Sequence, residues 1–207
     1  MNRSMLTITC CIAVLTLALA ATVSSQSTDS GNVKTTIVSV RSIATGAVIP
    51  ASGASLSRNN DGVFATISSS GLTPGHVVTF WWTIFNNPEN CANPTCAAPD
   101  LNNPATNGSL QYGGGTIVDA GGRVNFSGHL AQGENTGFYL NPAFPNMPNP
   151  APGIVNTKKA QIHLALRSHG VASADQAILQ QQLTAFSGGC AVAMPACVTL
   201  QVAPFLP

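Results

Sequence analysis

The chain has 207 residues, a formal net charge of +1, 44% apolar residues and only 7% charged ones. That apolar content excludes a disordered chain, and the lack of a basic or acidic excess argues against nucleic acid or an anionic surface as partner. The length suffices for one domain with a sizeable core, and 19 glycines with 14 prolines fit a turn-rich β protein.

Residues 1–25 read as a secretory signal peptide. Arg3 supplies the positive start, Met5 to Ala21 is apolar, and Ala20, Ala21, Ser24 and Ser25 offer small cleavage-site residues. The apolar run is short for a bilayer span of about 20 residues. Cleavage, secretion to the periplasm or the extracellular medium, and no membrane span in the mature chain are therefore expected. Cys10 and Cys11 lie inside the apolar run, where a lipid-anchor cysteine does not sit. Losing them leaves four of the six cysteines, and an even count in an exported chain implies disulfides. Four cysteines allow three pairings. The spacing favours Cys91–Cys96 and Cys190–Cys197, local staples worth roughly 2 to 2.5 kcal/mol each. Zinc needs thiolates in C-x2-C-type pairs, and these spacings, with no histidine close by, point away from it. No cofactor and no metal are expected.

Residues 26–32 are polar and read as a loose segment before a single domain at 33–207. Val33 to Ile43 is rich in β-branched residues and reads as one strand. Ala44 to Gly62 reads as a Gly/Ser/Asn-rich connection, with a short strand near Ala47–Ile49. Val63 to Ser69 is a strand with Val63, Ala65 and Ile67 on one face. A turn at Gly71–Gly75 leads from it, as in a hairpin, into the most apolar strand of the chain, which carries both tryptophans. There Val78, Phe80, Trp82 and Ile84 share a wholly apolar face, which is expected to be core. Val77, Thr79, Trp81, Thr83 and Phe85 share the other, mixed face, which suits a surface partly open to solvent or to long loops.

Pro88 to Gly108 is Pro/Asn-rich and cannot be a central strand. It reads as a long structureless insertion. Ser109 to Asp119 and Arg123 to Leu130 flank Ala120-Gly121-Gly122 like a hairpin, and Gly113–Gly115 reads as a bulge or a bend. Ala131 to Asn156 is a second excursion, with Phe138, Tyr139, Phe144 and Met147 as anchors onto the sheet. Ala160 to Gly170 is a strand. Ser173 to Thr184 is the one helix, opened by a Ser173/Gln176 capping box. Val198 to Ala203 is the last strand. No internal repeat and no second core are read. The fold class is all-β: an antiparallel, Greek-key-like β-sandwich with long Pro/Asn-rich loops and one short helix near 174–184.

Alternation places Ile162, Leu164 and Leu166 in the core. It puts Gln161, His163, Ala165, Arg167 and His169 on the opposite face, a polar stripe holding two of the four histidines. If this strand pairs with the tryptophan strand, Trp81 and Phe85 lie beside His163 and Arg167, and an aromatic beside arginine can stack a planar or sugar ligand. Gln161, His163, Arg167, His169 and Trp81 are therefore the candidate binding residues. The bland alternative is a polar face covered by the excursion loops, its side chains satisfied by backbone carbonyls. His163 and His169 are about 20 Å apart in a straight strand at roughly 3.3 Å per residue, too far to share a metal unless the strand breaks at Ser168 and His129 or His76 completes the site. Ser168-His169 has no nucleophile elbow, and the acids are too scattered to form a glycosidase pair.

GLTPGH (71–76), WWTIFNNPENC (81–91), AQIHLALRSHG (160–170) and FSGGC (186–190) together resemble a group of exported bacterial β proteins that share a WW-x-x-FNNP-x-x-C element and a later A-x-x-HL-x-x-RSHG strand. Ala160 to His163 is also similar to a strand of the CHRD domain, a β module of exported proteins, although Leu164-Ala-Leu-Arg replaces the Gly-rich run that follows it there. Both resemblances imply an exported β module and bring no activity with them. The expected function is a secreted, disulfide-stapled binding or structural module with an unknown extracellular ligand or surface partner. The alternative is a metal-dependent or hydrolytic enzyme using His163, Arg167 and His169.

Overall fold

A computed structural model describes residues 33–135, 144–190 and 197–207. It is a sandwich of two antiparallel sheets. One holds β1 (Lys34–Val38), β3 (Gly53–Arg58), β4 (Gly62–Ser69) and β7 (Val124–Ala131), in the order β1-β3-β4-β7. The other holds β2 (Arg41–Ser42), β5 (His76–Phe85), β6 (Gly108–Ile117), β8 (Gln161–Val171) and β9 (Val198–Phe205), in the order β2-β9-β8-β5-β6. The one α-helix among the described residues, α1, spans Gln176–Thr184. The signal-peptide and loose-segment expectations, and the anchors Phe138 and Tyr139, fall outside the described residues. Among the described residues no helix is long and apolar enough to cross a membrane.

The inter-sheet core is built by the faces that alternation singles out. Val63, Ala65 and Ile67 of β4 meet Val78, Phe80, Trp82 and Ile84 of β5 and Ile162, Leu164 and Leu166 of β8, all buried. Phe80 packs against Trp82 and Phe126, with ring centroids 5.2 and 5.6 Å apart. Gly113 is the extra residue of a bulge between β5 and β6, where Phe80 opposes Gly114 and Trp81 opposes Tyr112. A Cβ on Gly113 would overlap the Phe80 ring, so the close approach requires glycine.

Several local expectations are corrected. The first strand is two strands in different sheets, β1 and β2, because the chain crosses over at buried Val40. The expected Gly/Ser/Asn-rich connection contains a full strand, β3, whose inward residues are Ala54, Leu56 and Arg58. Neither expected hairpin forms. The turns at Gly71–Gly75 and Ala120–Gly122 each carry the chain from one sheet to the other. These two corners lie together: Leu72 N–H donates to Gly122 O at 3.1 Å, Gly75 N–H donates to Val118 O at 3.0 Å, and Leu72 is buried. Burying the apolar faces of β4 and β5 against each other requires the crossing, since a hairpin would leave both strands in one layer. The helix is capped by Asp175, whose carboxylate accepts from Ala177 N–H and Ile178 N–H, and not by Ser173, which turns to Asp175 N–H instead.

Arg58 has the largest polar side chain of the inter-sheet layer and is 2% exposed. Its guanidinium donates to the carbonyls of Thr157 (2.6 Å), Ala160 (2.7 Å), Phe205 (3.3 Å) and Leu206 (3.2 Å). It thereby ties β3 to the start of β8 and the end of β9. Burial lowers its pKa to about 10, which still leaves it charged at neutral pH.

Candidate functional site

The outer face of the five-stranded sheet is a grid of side chains set by register. One cross-strand row runs Tyr112, Trp81, Ala165, Val202, Arg41 from β6 to β2. On one side of it lie Thr79, Arg167 and Thr199. On the other lie Leu110, Thr83, His163 and Pro204, followed by Phe85 and Gln161. The tryptophan strand and the His/Arg strand are thus direct neighbours.

This face carries a second apolar cluster, contrary to the single-core expectation. Trp81, Phe85, Cys96, Leu101, Leu110 and Met147 are buried there, with Cys91, Tyr112, Phe144, Ala165 and Phe186 packed around them. The cover is the 88–108 insertion, the described part of the second excursion, and the segment after α1. The insertion is not structureless. It holds short 3₁₀ turns at Pro88–Asn90, Ala98–Asn102 and Pro104–Thr106, and the Cys91–Cys96 disulfide, Cα to Cα 5.3 Å. Its Asp100 carboxylate accepts from Ala92 N–H (3.0 Å) and Ala97 N–H (2.7 Å), which closes the loop around the disulfide. Cys190 and Cys197 form the second disulfide, Cα to Cα 5.5 Å.

Most of the polar stripe fastens this cover to the sheet. Gln161 is fully buried, and its amide bridges to the insertion. The oxygen accepts from Cys96 N–H (2.9 Å) and from His163 Nε2–H (2.6 Å), while the nitrogen donates to Pro94 O (3.3 Å). Burial lowers the His163 pKa to about 4, so its ring is neutral, and its edge contacts Phe85 at 5.5 Å. His169 is fully buried with both ring nitrogens engaged. A carbonyl only accepts, so Nδ1 carries the proton and donates to Gly188 O at 2.9 Å; Nε2 then accepts from Thr79 Oγ1 at 2.8 Å. Thr79 Oγ1 in turn accepts the Trp81 indole N–H at 2.7 Å. The His169 pKa is lowered, chiefly by burial and also by the Arg167 charge, against the raising effect of the Gly188 bond.

Arg167 does not stack on Trp81. Its guanidinium lies 4.0 Å from the centre of the Phe186 ring, and its Nε–H donates to Phe186 O at 2.7 Å. Phe186 meets Trp81 edge-on at 4.9 Å, so the order from strand to rim is Trp81, Phe186, Arg167. Phe186 escaped sequence reasoning because it lies in no strand; its signal was its place just after the helix and before the Gly-Gly-Cys turn.

A cleft of about 730 Å³ remains where the cover does not close. Ala165 and Val202 lie on its floor. Trp81, Leu101, Leu110, Phe144 and Phe186 form apolar walls, residues 95–99 of the stapled loop overhang it, and Arg41, His163, Arg167 and Thr199 supply the polar lining. Of the five sequence candidates, Trp81, His163 and Arg167 come together here. Gln161 and His169 do not line the cleft. A depression of about 540 Å³ around Ser55, Thr66 and Ser127 of the other sheet holds no titratable group.

Two groupings have metal-ligand proximity among the described residues, His169/Cys190/Cys197 and Cys91/Cys96/Asp100. In both, the cysteines are disulfide-bonded and offer no thiolate. His169 Nδ1 and the Asp100 carboxylate are already occupied, as described above. The cleft holds one histidine and no carboxylate among its described lining residues, and those residues by themselves form neither a metal ligand set nor an oriented acid–base pair. Comparison with models of known protein families and with curated proteins gives no match.

Proposed function

We propose that this chain is an exported, disulfide-stapled binding module and that its ligand site is the cleft on the outer face of the five-stranded sheet. One observation carries the reading: among the described residues the covering loops bury that face but leave Ala165 and Val202 half-buried, beneath about 730 Å³ walled by aromatic and aliphatic side chains. Small-molecule sites are typically about 300–1,000 Å³, mostly apolar, with a few placed polar groups. Export is supported by the signal-like N-terminus and by two disulfides, which persist in oxidising compartments. The resemblance to exported β modules points the same way. Because Gln161, Arg167 and His169 spend donors and acceptors on loop backbone, and His163 is bonded to Gln161, their main role in this reading is to hold the cleft's walls in place.

The test uses a neutral apolar fluorophore, N-phenyl-1-naphthylamine, with Trp81 in the wall as energy donor. The wild-type chain is expected to bind it saturably. Ala165→Trp, which fills the floor, is expected to lose that binding while its melting temperature stays within a few degrees. Equal binding by the two proteins, or no saturable binding by the wild type, refutes the cleft as a ligand site.

A further inference from the structure

We infer that the ligand of this cleft is an amphipathic anion: an apolar chain or ring of small-molecule size carrying a carboxylate. The inference rests on the binding reading above and adds the charge of the ligand. In a chain with only eight lysines and arginines among its 207 residues, two of the arginines, Arg41 and Arg167, line one cleft. No aspartate or glutamate is among its described lining residues.

Register explains how the two meet. Arg41 opposes Val202 and Arg167 opposes Thr199 on the intervening strand β9, so the guanidinium groups approach the opening from the two strands that flank β9. The floor between them is Ala165 and Val202, too short to fill the space. Arg41 is exposed, and among the described residues its one side-chain hydrogen bond is from Nη1 to Gly46 O at 3.1 Å. Its other N–H groups point to a planar acceptor, and a carboxylate matches that fork with two parallel bonds. Arg167 holds the Phe186 wall and adds positive charge on the opposite side. His163 is neutral and adds none. An apolar body with a negative end therefore satisfies both parts of the lining. A neutral apolar ligand would not use the outward fork of Arg41, and a small inorganic anion would leave the apolar walls wet.

The test is competition against bound N-phenyl-1-naphthylamine at pH 7 with octanoate and 1-octanol, which share a chain length and differ in the head group. Octanoate is expected to displace the probe at a concentration about five- to tenfold lower than octanol, in line with a charge-assisted hydrogen bond at a partly exposed rim. Arg41→Gln is expected to erase most of that preference and leave octanol displacement unchanged. Arg41→Glu is expected to reverse it, and raised salt to weaken it in the wild type. Arg41 lies on an exposed two-residue edge strand, so these variants fold. If the probe binds but octanoate and octanol displace it equally, or the preference survives Arg41→Glu, the anion inference is wrong and the binding reading stands. If the probe and both competitors fail to bind, the binding reading falls, and this inference with it.

Discussion

Trp81 and Trp82 are adjacent on β5, and each is 1% exposed. Trp82 points between the sheets, where strand packs on strand in a cluster of apolar side chains. Trp81 points outward, where loops and a helix-terminal segment bury it and its indole N–H enters a chain of hydrogen bonds through Thr79 and His169 to Gly188. Equal burial is thus reached by two constructions. Inside, alternation and volume suffice. Outside, the cover is irregular chain with its own backbone groups to satisfy, so the sheet meets it with Gln161, His163, Arg167 and His169. Polar residues on a strand need not mark an open face; here they are the fasteners of a closed one.

Substitutions sharpen this contrast. The largest effect is expected inside. Trp82→Ala should cost about 3–5 kcal/mol in chemical denaturation, since it leaves a sealed cavity. Trp81→Ala should cost about 2–3 kcal/mol, because water from the adjoining cleft can occupy the vacated space. A larger loss at Trp81 than at Trp82 would mean that the outer cluster, not the sandwich, is the principal core.

Arg58→Met tests the larger of the places where the inner layer borrows the outer layer's method, the other being the buried Ser69–Gln201 contact between β4 and β9. Removing the guanidinium strands four carbonyls, of which those of Thr157 and Ala160 hold the shortest bonds. At about 1–3 kcal/mol per buried unsatisfied group, and with the Leu206 carbonyl only part-buried, a loss of about 3–4 kcal/mol is expected. A loss below about 1 kcal/mol would show that water replaces the guanidinium at no cost.

The outer face should respond to mild acid through His163 and His169. The unfolded chain takes up a proton at His163 near the ordinary pKa of 6.5, whereas burial delays protonation in the folded chain to about pH 4. Stability is therefore full above pH 6.5, declines as pH falls towards 4, and levels off below that, with a loss of about 3 kcal/mol from this group. The lowered pKa of His169 acts in the same sense. Urea titrations at pH 7 and pH 4.5 on the wild type and His163→Gln would measure it. A variant that keeps the full pH dependence would place the acid sensitivity elsewhere.

The sandwich and its inner face were legible in the sequence because period-2 alternation is strong in β4, β5 and β8. The bulge at Gly113–Gly115 and both disulfide pairs were legible from local chemistry. β3 was not, because Ala54, Leu56 and Arg58 give its inner face only one large apolar residue. The corners at Gly71–Gly75 and Ala120–Gly122 looked like hairpins because turn residues report a reversal of direction, and the same glycines serve a turn within a sheet or between sheets. The candidate site was half legible. Register put Trp81 beside the His163–Arg167 strand, as the spacing allowed. What alternation could not show was which loop lay on top, so the carbonyls of Pro94, Phe186 and Gly188 that engage the stripe were invisible to it.

The two sheet-crossing corners also determine when the sheet can assemble. With β4 and β7 diverted to the other layer, the inner partner of β5 is β8, and a bond such as Thr79 to His169 spans 90 residues of chain. Closing so long a loop must precede any reward from the β5–β8 pairing, and folds dominated by such contacts assemble slowly. In a chain made from its N-terminus, β6 can pair with one edge of the tryptophan strand early, while the other edge waits for β8.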